Sequence, residues 1–317
     1  MTFASRRFIP ALVAVALAAG SGAAGAQQKE LTLGWSLPAL EFPFFVHMQK
    51  ALADKANEIG GIKLIETDGQ NKTTKQTADV EALVTQGVDG IIISPLDAVA
   101  MQPALQGAVD AGVPVITIDR RVEGVPGILG HVGADNVKGG EAQGELIMKL
   151  FPDGASIVNL QGQPGASPAI DRNKGAHNVL DAHADKYKFV AEQTANFQRN
   201  EAVTITESIL AGLANPPDVI LCANDDMALG ALQVVKEQGL PIKIIGFDAL
   251  PEALGSIRDG GLTATIEQFP GGQSSQALTE MVAYLRDGTK PEPLVLLTPI
   301  AITKDNLDKS ERLNEVQ

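Results

Sequence analysis

From Leu31 onward, short apolar and β-branched runs alternate with amphipathic stretches about 12 to 17 residues long. The runs read as strands and the longer stretches as helices, and their regular alternation specifies parallel βαβ units. Strands are predicted at LTLGWS from Leu31, IKLIET from Ile62, GIIIS from Gly90, VPVITI from Val113, SIVNL from Ser156, KFVAEQ from Lys188, DVILC from Asp218, KIIGF from Lys243 and LTATIE from Leu262. Between them helices are predicted over Phe44 to Ile59, Lys75 to Gln86, Val99 to Ala111, Val137 to Leu150, Arg199 to Leu213, Asp226 to Gln238 and Gly272 to Arg286. Several strands are apolar at consecutive positions, as a sheet covered on both faces requires. The fold class is therefore α/β, with two doubly wound domains for a chain of this length. No repeat, low-complexity segment or linker marks a boundary, which suits domains joined by several chain crossings.

The residues before this pattern have a different chemistry. Arg6 and Arg7 precede an apolar run from Phe8 to Ala19, and small residues continue to Ala24-Gly25-Ala26, the layout of an export signal with its cleavage site. Residues 1–26 are read as a signal peptide and Gln27 as the first mature residue. The apolar run is too short to span a bilayer. Of the 317 residues, 25 are Lys or Arg and 38 Asp or Glu, a net charge of −13; losing Arg6 and Arg7 leaves 23 against 38, or −15. That balance argues against a nucleic-acid partner, which needs a basic face. Cys222 is the single cysteine, so no intrachain disulfide can form and stability must come from packing.

Polar residues collect just beyond the predicted strand ends: Ser36, Asp119-Arg120-Arg121, Asn224-Asp225-Asp226, Asp248 and Gln268. In open α/β sheets ligands bind in the crevice outside the carboxyl ends of the strands. Acceptors (Asp119, Asp248), a forked donor (Arg120) and amides that do both (Asn224, Gln268) suit a neutral ligand carrying many hydroxyls. Aromatics make up only 4% of residues, yet GWSLPALEFPFF holds Trp35, Phe42, Phe44 and Phe45. Trp35 lies on a strand and reads as core. Arg121 is expected to face solvent or pair with Glu123, Asp225 and Asp226 to favour a helix N-terminus, and Asn224 to be an N-cap by type. His47, His131, His177 and His183 lack metal spacing and read as structural or surface residues, His177 on a helix with His183 at its exit. Gly139-Gly140 reads as a close-packing site and Cys222 as a small buried hydrophobe.

Along nearly its whole length the mature chain resembles the periplasmic sugar-binding proteins of ABC importers, especially the ribose-binding type. The resemblance rests on GVPVITIDRR with the following ADNVKGG, then ANDDMALGAL, IIGFDALPE and TATIEQFP, in the family's order. It implies a type I periplasmic binding protein fold whose chain crosses a hinge near Ala134, Gln268 and Leu297. One domain is then 27–134 plus 269–297 and the other 135–268 plus 298–317. It also implies a ligand site of Ser36, Phe42, Phe44, Phe45, Asp119, Arg120, Arg172, Phe197, Asn224, Asp248 and Gln268. Phe42 stands where the ribose type has an asparagine, in a loop two residues longer, so ribose itself is not favoured.

The function implied is capture of a monosaccharide or sugar alcohol by hinge closure and delivery to an inner-membrane permease, by a periplasmic monomer without cofactor or metal. Presentation of the sugar to a chemoreceptor is compatible with this. A secreted sugar-acting enzyme, with Asp119 and Asp248 as its carboxylate pair, is the alternative.

Overall fold

The computed structural model describes residues 1–2 and 30–316. From residue 3 on, the expected signal peptide lies outside the described residues. Among the described residues no helix is long and apolar enough to cross a membrane.

The first part of the chain runs β1 (Leu31–Leu37), α1 (Pro43–Ile59), β2 (Ile62–Asp68), α2 (Thr73–Thr85), β3 (Gly90–Ile93), α3 (Gln102–Asp110), β4 (Val115–Ile118) and β5 (Gly130–Ala134). The second runs α4 (Asn136–Leu150), β6 (Ala155–Gln161), α5 (Ser167–Leu180), β7 (Tyr187–Thr194), α6 (Arg199–Gly212), β8 (Val219–Cys222), α7 (Asp225–Glu237), β9 (Lys243–Ile245), α8 (Pro251–Arg258) and β10 (Thr265–Glu267). Last come α9 (Pro270–Asp287), β11 (Leu294–Leu297) and β12 (Ile300–Ile302). One parallel sheet has the order β11-β5-β4-β3-β1-β2 and the other β7-β6-β8-β9; β10 and β12 form an antiparallel pair. The chain leaves the six-stranded sheet between β5 and α4, returns between β10 and α9, and leaves again between β11 and β12.

Alternation along each strand feeds two faces. In β3, Ile92 joins the cluster under α1 and α9, whereas Ile91 and Ile93 join the one under α2 and α3. In β8, Ile220 and Cys222 face α6 and α7, while Val219 and Leu221 face α4 and α5. Trp35 and Cys222 are buried in these cores. The α4–α5 crossing is close because a Cβ on Gly140 would come within 2.1 Å of the Arg172 carbonyl oxygen. The pair Gly139-Gly140 thus includes the packing position that the sequence suggests.

Five elements are missing from the predicted strands and helices. β5 reads GHVGA, with too little apolar character to register, and its buried His131 is held by Thr117 Oγ1 at 3.0 Å from Nδ1. β11, β12 and α8 are short, and α5 is anticipated only around His177. α3 begins three residues later than predicted, since Asp97 Oδ1 takes the amides of Val99 and Ala100 at 2.8 and 2.7 Å and holds them in a turn.

Candidate functional site

The carboxyl ends of β1 and β4 in one sheet face those of β8, β9 and β10, and a cleft with about 370 Å³ of empty space lies between them. Phe42 precedes α1 with extended backbone, and Pro43 opens the helix with φ pre-set. The rings of Phe42 and Phe44 each meet Phe45 edge to face, at 6.3 and 5.3 Å between centroids. Opposite them stands Phe197, held in the left-handed region at φ 63°. The Arg120 guanidinium bridges the two aromatic groups, 5.4 Å from the Phe45 centroid and 5.6 Å from that of Phe197.

Around this aromatic slot lies a buried polar ring. Asp119 turns at the end of β4 with φ 58° and accepts from Ser94 Oγ at 3.0 Å. Arg120 Nη1 donates to Leu96 O and Gln163 Oε1 at 3.1 and 3.3 Å, and burial pulls its guanidinium down to about 10. Arg172, on α5, donates Nε to Asn136 Oδ1 at 2.8 Å and Nη1 to Ala223 O at 2.7 Å, and stacks 3.6 Å from the Phe247 centroid. Asp248, at φ 114°, accepts from Gln268 Nε2 at 2.6 Å and lies 3.5 Å from Arg172 Nη1. Burial pushes its carboxyl up to about 7 despite Arg172; Asp119 is raised for the same reason, with Arg120 and Arg172 opposing. Four residues of the site have positive φ without being glycine, the kind of stored backbone strain that persists where a ligand must be gripped; the fourth is Phe269, next to Gln268. There Glu267 is fully buried and accepts from the amides of Gln268, Phe269 and Glu311 at 2.8, 2.7 and 2.9 Å. That carboxylate fixes the chain crossing and the aim of Gln268 together.

Two facing sheets with a polar, aromatic-walled cleft at their carboxyl ends have clear relatives. Residues 33–290 match the family model described as periplasmic binding protein domain. The chain belongs to that family. The ribose import binding protein of Bacillus subtilis (strain 168) is 42% identical over 246 residues, covering 77% of this chain and 78% of the relative. The xylitol-binding protein of Mycolicibacterium smegmatis is 30% identical over 295 residues, 92% of this chain and 82% of the relative. Among solved structures, the Caulobacter myo-inositol binding protein bound to myo-inositol superposes with TM-score 0.88 at 42% identity, covering 91% of this chain and 98% of that one.

In this periplasmic binding protein, ten of the sequence-nominated residues line the cleft: Phe42, Phe44, Phe45, Asp119, Arg120, Arg172, Phe197, Asn224, Asp248 and Gln268. Ser36 does not. It is fully buried beneath the cleft and accepts from Gln76 Nε2 at 3.3 Å, while the same amide holds Ser94 O and Leu96 N. Its place is in the support under Asp119, because β1 turns its Oγ toward α2. Asn224 caps α7, taking Met227 N at 3.0 Å, and donates to Phe197 O at 3.1 Å, so most of its capacity serves the scaffold. Arg121 pairs with Glu123 at 3.3 Å and also forks onto Asp171 of α5, a partner that sequence alone did not supply. Pro168 and Asp226 line the cleft too; Asp226 was visible in the NDD run but indistinguishable there from Asp225. Only the helix phase separates them: Asp225 points into the core, taking Leu250 N and Thr265 Oγ1 at 2.8 and 2.7 Å.

Proposed function

We propose that this protein is the solute-binding component of an ABC importer and captures a small neutral polyol or sugar, foremost a cyclitol such as myo-inositol. The observation that carries the reading is the set of polar atoms left over after the internal hydrogen bonds are made. Asp119 Oδ1, Asp248 Oδ2 and Gln268 Oε1 have no hydrogen-bond partner among the described residues, and neither do Arg120 Nη2 and Arg172 Nη2. Acceptors and donors are both left over, so the complement is a ligand rich in hydroxyls, each of which donates and accepts. Carboxylates on two sides disfavour an anionic ligand. Phe45 and Phe197 supply flat walls for the C–H faces of a ring. The myo-inositol-bound relative favours a cyclitol over a pentose, and the ribose and xylitol relatives define the other arms of the test.

Capture proceeds by closure of residues 27–134 plus 269–297 against 135–268 plus 298–317, the motion for which periplasmic binding proteins are a standard example. A ligand drives closure only by binding the closed state better. Asp119 and Arg120 on one side, with Arg172 and Asp248 on the other, provide that difference. The closed form then delivers its ligand to the permease, as a monomer exported with removal of residues 1–26. The relatives are named as binding proteins, and no turnover is expected of Asp119 and Asp248.

Calorimetric titration of residues 27–317, unfolded and refolded to strip bound ligand, against myo-inositol, D-ribose, xylitol and hexoses tests this. Expected is micromolar or tighter binding of one polyol, at least about 8 kcal/mol, without loss of ligand over time and weakened at least about 100-fold by Arg120→Ala. If no polyol binds, or if the ligand is consumed, the proposal fails.

A further inference from the structure

We propose that Asp226 is a specificity-determining residue of the cleft, accepting a ligand hydroxyl at its outer edge between Phe42 and Phe197. This rests on the polyol reading above.

Asp226 sits in the first turn of α7, two residues after the capping Asn224, and is only 8% exposed. Three of the residues lining the cleft, Phe42, Phe197 and Asp226, also line an outer groove that continues over Glu41, Gln198 and Arg199. They form the rim between the ligand cleft and that groove. Arg199 donates Nε and Nη2 to one and the same oxygen, Asp226 Oδ1, at 3.3 and 3.0 Å, and its Nη1 and Nη2 also reach Glu252 at 2.9 and 2.7 Å. The fork anchors Oδ1 from outside. Oδ2 has no hydrogen-bond partner among the described residues.

Because Oδ2 can only accept while ionised, its complement is a donor, and its rim neighbours Phe42 and Phe197 offer apolar rings. A ligand hydroxyl reaching this edge would find Oδ2 as its acceptor, and a ligand with a C–H there would cover the carboxylate oxygen without pairing it. An inositol bears a hydroxyl on every ring carbon and presents one at this edge however it is rotated in the ring plane. A ligand with one bare carbon satisfies it only when that carbon points elsewhere.

The test is titration of the protein and of Asp226→Ala and Asp226→Asn with myo-inositol, D-ribose and their monodeoxy analogues, with thermal unfolding of each variant as control. In the unsubstituted protein one deoxy position should weaken binding by about tenfold or more, and Asp226→Ala should remove that difference while leaving the penalties at other positions in place. Asp226→Asn, which can still pair with a hydroxyl, should retain most of the affinity. A uniform loss across all analogues would assign Asp226 to holding Arg199 and overturn the inference, as would no loss at all. Failure of the unsubstituted protein to bind any polyol would instead overturn the polyol reading, and this inference with it.

Discussion

Asp248 combines a left-handed backbone, full burial and a carboxyl pushed up to about 7. Since its folded value lies above the unfolded one, the fold favours the protonated form: the contribution of this group to stability is fully present below about pH 4 and is lost as pH rises through about 7. Asp119 and Asp225 are displaced the same way by burial and add to the slope. Ligand binding runs oppositely, because only the ionised carboxylate is free of a proton and able to accept hydroxyls from both oxygens. We expect Asp248→Asn to raise the unliganded melting temperature near pH 8, equivalent to about 1 to 3 kcal/mol, and to weaken binding at least tenfold. In the unsubstituted protein the dissociation constant should rise as pH falls from 7 to 5, by up to about tenfold per unit. Calorimetry and thermal melts across that range check both signs. A loss of unliganded stability on Asp248→Asn near pH 8 would show that the Arg172 pairing outweighs desolvation.

At the level of elements, the α4–α5 crossing places Arg172. A Cβ on Gly140 would meet the Arg172 carbonyl oxygen at 2.1 Å, and one on Gly175 would meet the Val137 carbonyl oxygen at 2.1 Å. Neither obstacle is a flexible side chain, so the helices must separate to admit a methyl group. Gly140→Ala should therefore destabilise by about 1 to 3 kcal/mol, measured by urea unfolding, and weaken ligand binding by moving Arg172. Helix propensity alone points the other way, since alanine is the better helix former by about 1 kcal/mol; a stabilised variant would disprove the close crossing. The glycine pair was legible in the sequence as a packing site, but its partner was not, because Gly140 and Gly175 lie 35 positions apart and meet only once both helices are laid on the same sheet.

Over the whole molecule, the two halves are clasped outside the cleft as well as within it. Arg121 forks onto Asp171 and its amide donates to Ser167 Oγ at 2.9 Å; Gln163 Nε2 reaches Asn71 Oδ1 at 3.0 Å, and Gln198 Nε2 reaches Glu41 Oε1 at 3.2 Å. On the proposed closure, these contacts would stabilise the closed arrangement independently of the ligand's identity. Arg121→Ala should accordingly shift the unliganded protein toward larger radii in solution scattering and raise the ligand dissociation rate several-fold, with little change in which polyol is preferred. An unchanged off-rate would mean that the clasp is solvated and contributes nothing, as exposed ion pairs often do. The sequence by itself determined the acidic balance, which is composition alone, and the α/β alternation, the two-sided burial of the strands and the polar residues at the strand ends, because each of these last three depends on neighbours within a turn of helix or a few positions of strand. Tertiary structure alone decided that Ser36 lies under the cleft, that Arg121 reaches Asp171 50 residues away, and that Asp226 lines the cleft while Asp225 points into the core. Those outcomes depend on which strand ends are brought together and on the rotational phase of one helix, and no local pattern of residues encodes either.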